Sequence, residues 1–245
     1  MIKLIMVPVL SYQNSIWRNL VINLTAHQAR MLRMRAQHLA SPLQATSPKK
    51  LLSEIFAVQA QNLGAAYQAL GVRSRGLTEA QVAHERQNGS EICWRWSLRG
   101  TLHLMTVDDA RWFVPFMAED LVAWDRRRLT QLGYTEHQAK NGVELIRDQI
   151  ERLGEQTRAE IANLLRENKL PYEGQATVHI LFKAVCEGGV CPGSDRENKP
   201  TYTLFEKRYG SFKTRPRTEA LTDLALRYLQ AYAPARPEDF AVWSG

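Results

Sequence analysis

A series of short helices followed by a stretch of strand-like alternation occurs twice along this chain and begins a third time. In the first copy, Ser47-Pro48 and Asn62 can open helices, because such residues cap helix N-termini. In the second copy, Thr157-Arg158-Ala159-Glu160 is a capping box and Thr177 can open the next helix. The third copy begins at Thr218. Repeated units of this size restrict the fold to small, mainly helical modules.

The strand-like stretch of the first copy is "WRWSLRGTLHL", residues 94–104. Its even positions are apolar or glycine, and its odd positions include Arg95, Arg99 and His103. This alternation predicts a strand with one apolar and one polar face, bulged at Gly100. Short helices followed by a strand are the order of a winged helix, whose wing is a small sheet after the helices.

We therefore predict a mainly α fold of tandem winged-helix modules with small β wings. The second wing tip is predicted at residues 193–200. The third module contains an entry helix and the beginning of a second helix, so we expect it to be truncated. The predicted division is an N-terminal extension (1–23), a first winged helix (24–107), a long connecting helix (108–134), a second winged helix (135–215) and the start of a third (216–245).

Positive charge is concentrated near the N-terminus. Residues 1–53 hold seven Lys and Arg and no acid, whereas the remaining residues hold 25 of each sign. A basic module on a neutral body predicts a polyanionic partner. Nucleic acid is favoured over a membrane, because no basic helix with a broad apolar face accompanies the charge. A merely solvated basic surface is the alternative that charge alone leaves open.

Composition predicts a globular protein, since 245 residues with 44% hydrophobic content can bury one large core or several small ones. Three cysteines do not suit a disulfide framework and favour a reducing compartment, the cytoplasm with its nucleoid. The apolar start Met1–Val9 is soon interrupted, so we expect neither export nor a membrane span. Cys186 and Cys191, with His179 nearby, have zinc-ligand chemistry, but their spacing favours core thiols and no metal.

Two glutamines follow an amphipathic run, Lys50–Phe56, that is typical of a helix. Leu51 and Ile55 lie one turn apart on its apolar face, and the next position on that face is Gln59. Residues i and i+2 point to the same side only in an extended chain. Gln59 and Gln61 can therefore act together only if the helix ends between them. An ordinary helix-terminal glutamine, hydrogen-bonded to backbone, is the alternative.

Four stretches span about residues 24–245: "LTAHQARMLRMRAQHL", "AVQAQN", "WSLRGTLHLMTVDDARW" and "LALRYLQAYAPARPEDFAVWSG". Together and in this order they resemble the tandem winged-helix DNA glycosylases, which excise alkylated bases and unhook interstrand crosslinks. Members of that family are similar in having three winged helices followed by a β-rich C-terminal segment. This chain departs from the pattern by ending inside the third module.

The resemblance implies an active site at Gln59-Ala60-Gln61, where the family has Gln, an apolar residue, and Gln or Asp. Hydrolysis of an N-glycosidic bond needs a positioned water and a stabilised oxocarbenium-like transition state. A base alkylated at N7 or N3 already carries positive charge, so two neutral amides can suffice. No lysine adjoins the pair, which predicts monofunctional hydrolysis. A shallow cleft is expected, because a crosslinked base cannot leave the stack freely.

The resemblance further implies a monomer that acts on double-stranded DNA with alkylated bases, without metal or organic cofactor. A non-catalytic winged-helix DNA-binding or regulatory protein, or an inactive truncated remnant, is the alternative. Trp94, Trp96, Trp112 and Trp124 are predicted to pack in the core rather than stack on bases. The candidates for DNA contact, for which a solvated surface is the alternative, are Arg33, Lys49, Lys50, Arg95, Arg99, His103, His179 and Lys183.

Overall fold

The structure is a computed structural model that describes residues 2–5, 21–44, 47–187 and 189–245, with side chains from residue 23 onward. Strand β1 (Ile2–Ile5) pairs antiparallel with β2 (Val21–Leu24), and helix α1 (Ala26–Ala36) follows. The rest of the predicted extension, residues 1 and 6–20, lies outside the described residues. Most of the apolar start Met1–Val9 lies there too.

After α1, the first module continues with three more α-helices and a three-stranded antiparallel sheet. Its elements are β3 (Leu43–Gln44), α2 (Pro48–Ile55), β4 (Ala57–Gln59), α3 (Leu63–Gly71), β5 (Ser74–Arg75), α4 (Glu79–Asn88), β6 (Ile92–Trp96) and β7 (Leu102–Thr106). The sheet order is β4-β7-β6, and β3 pairs with β5 in parallel. Ser47, Asn62 and Thr78 each cap a helix through the side chain, as their sequence positions predict.

Helix α2 ends at Ile55, before the predicted end near Gln59. Phe56 has a φ of 69°, which is rare for a residue with a side chain, and its fully buried ring packs edge-on against Phe113. The helix stops because this ring enters a different hydrophobic cluster from the one that Leu51 and Ile55 occupy. Residues 57–59 are then extended because they pair with β7.

The stretch 94–104 is a hairpin rather than one bulged strand. Arg99 and Gly100 both have positive φ values, 53° and 69°, and they reverse the chain between β6 and β7. The pairing sets Trp94 opposite Leu104 and Trp96 opposite Leu102, so even-numbered residues face even-numbered ones across the turn. The alternation therefore continues through the reversal, and for that reason the sequence pattern did not reveal it.

The second module repeats the topology of the first. After the long helix α5 (Val107–Gln131) come α6 (Glu136–Leu153), β8 (Gln156–Thr157), α7 (Arg158–Glu167), α8 (Ala176–Glu187), β9 (Val190–Arg196) and β10 (Lys199–Leu204). Its sheet has the order β8-β10-β9, which corresponds to β4-β7-β6 in the first module. The predicted wing tip is mostly strand, because Glu197 and Asn198 alone, with φ values of 52° and 60°, make the turn.

Three further helices follow: α9 (Phe205–Tyr209), α10 (Arg217–Tyr232) and α11 (Pro237–Ser244). Helix α10 packs through Ala220, Leu224 and Ala231, whereas Leu221 and Leu229 are exposed. On α1 only Ala29 is buried and Leu32 is 40% exposed, and Leu39, which follows the helix, is 41% exposed. The prediction of a mainly α chain with small β wings is confirmed. In the described part of the chain, no helix is both long and apolar enough to cross a bilayer.

Candidate active site

The side chain of Gln61 takes the place of a backbone carbonyl at the end of the first sheet. The N–H of Ala60 donates to the Leu102 carbonyl at 2.7 Å, and the N–H of Leu102 donates to Gln61 Oε1 at 2.8 Å. The carbonyl of Ala60 instead accepts the indole N–H of Trp94 at 3.0 Å. This arrangement fixes the Gln61 amide with its oxygen toward β7, and its Nε2 group remains a donor for a further partner.

Gln59 is the last residue of β4 and lies opposite His103 on β7. Its side chain is exposed and makes no hydrogen bond to another described residue. Two residues of chain span at most about 7 Å, so the Cα atoms of Gln59 and Gln61 cannot be farther apart. Between them Ala60 is fully buried in the core of the first module, which accounts for a small apolar residue at the middle position.

A cleft of about 620 Å³ opens beside Gln61, between the two modules. This volume lies in the range of sites that bind small molecules. Two exposed cations, Arg158 at the start of α7 and Lys199 at the start of β10, line it, and no carboxylate does so among the described residues. The remaining lining residues are Trp94, Trp96, Leu102, Thr157, Ala159, Val178, Pro200 and Tyr202.

The aromatic lining corrects the prediction for the tryptophans. Of these four tryptophans, only Trp112 is a buried core residue, at 5% exposure. Trp94 and Trp96 are half-buried and line the cleft, and Trp96 stacks on Tyr202 with the ring planes 10° apart. Trp124 is 66% exposed, although its ring lies near Phe182. The apolar face of the hairpin therefore contributes to the cleft as well as to the core.

The polar face of the same hairpin is buried, which contradicts the prediction that Arg95 and His103 are available to DNA. Arg95 is 1% exposed, donates to the Val185 carbonyl at 3.0 Å and lies 5.6 Å from the Phe205 ring centroid. His103 is 4% exposed. Helices α5, α8 and α9 cover this face, so phosphate cannot reach either side chain.

Burial lowers the pKa of His103 to about 4. Its Nδ1 lies 3.0 Å from both the Thr101 carbonyl and the Ser97 hydroxyl. A carbonyl oxygen can only accept, so Nδ1 carries the hydrogen. At neutral pH His103 is therefore a neutral side chain fixed in one tautomer, opposite Gln59.

His179 and Lys183 do not form a DNA-facing surface on α8. His179 Nδ1 lies 2.7 Å from the Asp125 carboxylate on α5, and Lys183 pairs with Glu187 at 2.6 Å. Burial raises the pKa of Asp125, while the contact with His179 opposes that shift. Helix α8 has eight buried residues and packs along α5, so it is a core helix. The sequence could not show this, because the partner is the long connecting helix, about 50 residues earlier in the chain.

The other four predicted DNA contacts lie nearer the surface and are engaged within the chain. Arg33 donates to the Pro234 carbonyl at 2.8 Å, and Arg99 donates to the Trp243 carbonyl. Lys49 pairs with Asp108 at 3.2 Å and with Glu91 at 3.5 Å. Lys50 is exposed and donates to the Gln44 carbonyl at 3.0 Å. None of them lines the cleft beside Gln61.

Sequence reasoning missed Arg158, Lys199 and Tyr202. Arg158 stands inside the capping box of α7, and Lys199 lies in the segment interpreted as the second wing tip. Each signal predicted local structure only. These residues become part of a site because the second module packs against the first. That contact joins residues far apart in the sequence, so no local motif reveals it.

The cysteines lie in the core, as predicted. Cys93, Cys186 and Cys191 are at most 4% exposed, and burial raises the pKa of each thiol to about 12. Among the described residues, no group of three or more His, Cys, Asp or Glu side chains has the geometry to hold a metal ion.

The chain is similar to known proteins over most of its length. A sequence model of the family described as "DNA glycosylase AlkZ-like" matches residues 52–245. An interstrand DNA cross-link repair glycosylase from Streptomyces sahachiroi is 28% identical over 223 residues, which make up 86% of this chain and 58% of that protein. The solved structure of the DNA glycosylase AlkZ from Streptomyces sahachiroi matches with a TM-score of 0.76 at 25% identity, over 91% of this chain and 62% of that one. The chain therefore spans about three fifths of the length of the relatives that it matches.

Proposed function

We propose that this chain, which belongs to the AlkZ-like DNA glycosylase family, is a monofunctional glycosylase that removes N7- or N3-alkylated purines from duplex DNA. The observation that supports the proposal is the position of Gln61. Its exposed amide, fixed by the Leu102 N–H, lies at the edge of a cleft that carries two cations and no acid. We propose that the protein acts as a monomer.

In the proposed reaction the electrons of the C1′–N9 bond leave with the cationic purine, which becomes neutral, whether the alkyl group is at N7 or at N3. A water oxygen then forms the new bond to C1′, and its proton passes to solvent. Gln59 Oε1 accepts a hydrogen from this water and so turns a lone pair toward C1′, whereas Gln61 Nε2 donates to a deoxyribose oxygen. Neutral amides suit this task only when the leaving base is already charged. Undamaged purines are therefore excluded.

The cleft is proposed to receive the alkylated base and its neighbouring phosphates. Trp94, Trp96 and Tyr202 offer aromatic surface, on which a base can stack. Arg158 and Lys199 are exposed at the cleft and can neutralise phosphates. Arg33, Lys50 and Arg99 are retained as proposed peripheral contacts to the DNA backbone. They are close enough to the surface to exchange their intrachain acceptors for phosphate.

Unhooking of interstrand crosslinks is the finer part of the proposal. It is supported by the name of the relative from Streptomyces sahachiroi and by the exposure of both glutamines. A base tethered to the opposite strand moves little, so its C1′ has to be reached from an open surface. A duplex with two guanines joined through N7 by a short alkyl chain tests this part, because unhooking separates the strands on a denaturing gel.

The main test is excision of 7-methylguanine from a duplex oligonucleotide, measured as alkali-labile abasic sites in single-turnover conditions. The Gln61→Ala and Gln59→Ala variants are each expected to lower the rate roughly a hundredfold, with duplex affinity little changed, because they remove groups that act on the water and the sugar. Gln68→Ala is the matched control, because Gln68 is an exposed glutamine on the neighbouring helix α3.

Two outcomes contradict the proposal. If the wild-type protein binds the duplex tightly and produces no abasic sites, the chain is a non-catalytic DNA-binding protein, the alternative that the sequence left open. If abasic sites form at equal rates in the wild type and in both motif variants, the activity lies elsewhere in the chain.

A further inference from the structure

We propose that Trp94 is a positioning residue for Gln61, acting through the Ala60 carbonyl. The inference rests on the proposed function, since it concerns how the glutamine is held for reaction. It begins from the register of β4 on β7. In an antiparallel ladder the two residues of a hydrogen-bonded pair exchange both N–H···O bonds. Ala60 and Leu102 stand in the position of such a pair, one residue beyond the paired Gln59 and His103, and the Ala60 N–H donates to the Leu102 carbonyl at 2.7 Å.

The reciprocal bond is replaced by two others. The Leu102 N–H donates to Gln61 Oε1 at 2.8 Å, and the Ala60 carbonyl accepts from Trp94 Nε1 at 3.0 Å. The amide of Leu102 has a single hydrogen, so Ala60 and Gln61 compete for it. The indole N–H satisfies the Ala60 carbonyl, and the hydrogen of Leu102 is thereby left to the glutamine side chain.

The Trp94 indole is itself positioned by a buried arginine, Arg86. The guanidinium of Arg86 lies 5.8 Å from the Trp94 ring centroid, within the range of a cation–π contact. Arg86 is 4% exposed and is fixed by Tyr67 Oη at 2.9 Å and by the Asp195 carboxylate at 2.5 Å. Asp195 belongs to the second wing. The orientation of the Gln61 amide thus depends on contacts that extend into the other module.

Loss of the indole N–H has a specific consequence. The Ala60 carbonyl, left with no donor, draws the Leu102 N–H back into the ordinary ladder. Gln61 Oε1 then has no partner, its amide samples several rotamers, and Nε2 no longer points at one place. The duplex still binds, because the cations and most of the aromatic surface remain. The defect should therefore appear in the rate of base removal rather than in affinity.

The first test uses the unmodified protein. In nitrogen-15 NMR, the indole N–H of Trp94 is expected to exchange with solvent at least tenfold more slowly than that of Trp96, whose indole has no hydrogen bond to a described residue. If the two indoles exchange at similar rates, the Trp94–Ala60 bond is not stably formed and the proposal is overturned.

The second test compares Trp94→Phe with Trp96→Phe. Both variants shrink an aromatic side chain in the cleft, but only the first removes a hydrogen bond to Ala60. Trp94→Phe is expected to lower the single-turnover excision rate about tenfold, the equivalent of one hydrogen bond, with duplex affinity within about twofold of the wild type. It should also shift and broaden the side-chain amide resonances of Gln61. Trp96→Phe should leave those resonances in place.

Equal Gln61 resonances in the two variants would overturn the positioning role, as would equal losses of rate. The NMR comparison needs no activity. If the wild-type protein forms no abasic sites, the proposed function fails while the role of Trp94 is still decided by the resonances.

Discussion

At the scale of single residues, the buried polar side chains of the first hairpin show how a fold holds polar groups in fixed positions in its interior. His103 is held by Ser97 and Thr101 on its own hairpin, and burial lowers its pKa to about 4. Arg95 can stay buried because its guanidinium donates a hydrogen bond to the Val185 carbonyl and makes a cation–π contact with the Phe205 ring. Neither contact is visible as a sequence pattern, since the first depends on the reversal of the hairpin and the second on the helices that cover it.

The lowered pKa of His103 predicts a loss of stability in acid. In the unfolded chain the imidazole has its ordinary pKa of 6.5, so between pH 6.5 and about 4 the unfolded state binds a proton that the folded state does not. Above pH 6.5 the histidine is neutral in both states and does not affect how the free energy of unfolding varies with pH. As the pH falls from 6.5 toward 4, this free energy decreases by up to about 3 kcal/mol.

Urea denaturation of the wild type and of His103→Gln measures this contribution. The free energy of unfolding of the wild type should fall more steeply from pH 7 to pH 4 than that of the variant, since the carboxylates titrate in both. Parallel pH curves would show that His103 is protonated in the folded protein.

At the scale of elements, the second wing is attached to helix α4 of the first module. The Asp195 carboxylate on β9 accepts hydrogen bonds from the Arg86 guanidinium and the Gln87 side-chain amide. Ser194 donates to the Gln87 carbonyl at 2.7 Å. Arg208 donates to that same carbonyl at 2.7 Å. A wing is usually regarded as a DNA-contacting element, but these bonds give this one a structural role between modules.

Asp195→Ala is expected to destabilise the protein by about 3 kcal/mol, because it leaves the guanidinium of Arg86 buried without its acid. The neighbouring residue on the wing provides the control. Arg196 pairs with Glu160 where both side chains are more than 40% exposed, so Arg196→Ala should cost less than about 1 kcal/mol. Guanidinium denaturation compares the two, and similar small losses would show that the wing is not anchored through Asp195.

At the scale of the whole molecule, the two winged-helix modules share one topology but play different parts at the cleft. The first contributes Gln61 and the indoles, and the second contributes Arg158 and Lys199. Helix α8, which corresponds in order to a recognition helix, is buried along α5 and cannot enter a major groove in this arrangement. DNA contact is therefore expected at the cleft between the modules. The residue boundaries of the modules stay a prediction.

The double variant Arg158→Ala/Lys199→Ala tests this placement through the salt dependence of duplex binding. If each cation neutralises one phosphate, the slope of log affinity against log salt concentration should become less steep by about 2 units. The control is Arg166→Ala/Lys207→Ala, which makes the same change in net charge at exposed positions that do not line the cleft. Equal slopes for both double variants would place the DNA elsewhere.

Local signals in the sequence predicted most of the helices and strands of this protein. Caps at Ser47, Asn62, Thr78 and Thr157, apolar residues at helical spacing and strand alternation depend on neighbours within a few residues, and they predicted the helices, the wings and the repeat. Four short stretches resemble the tandem winged-helix DNA glycosylases, and this resemblance located the Gln59-Ala60-Gln61 motif. These signals are local, so they could be read without knowledge of packing.

Which faces of these elements are exposed depends on how the elements pack together. The hairpin from Trp94 to Leu104 has its polar face covered by α5, α8 and α9, and part of its aromatic face opens to the cleft, the reverse of the expectation from alternation. Alternation separates two faces but does not say which of them another element will cover. That choice depends on contacts between residues about 90 positions apart, such as Arg95 with Val185, and it placed Gln61 beside Arg158 and Lys199.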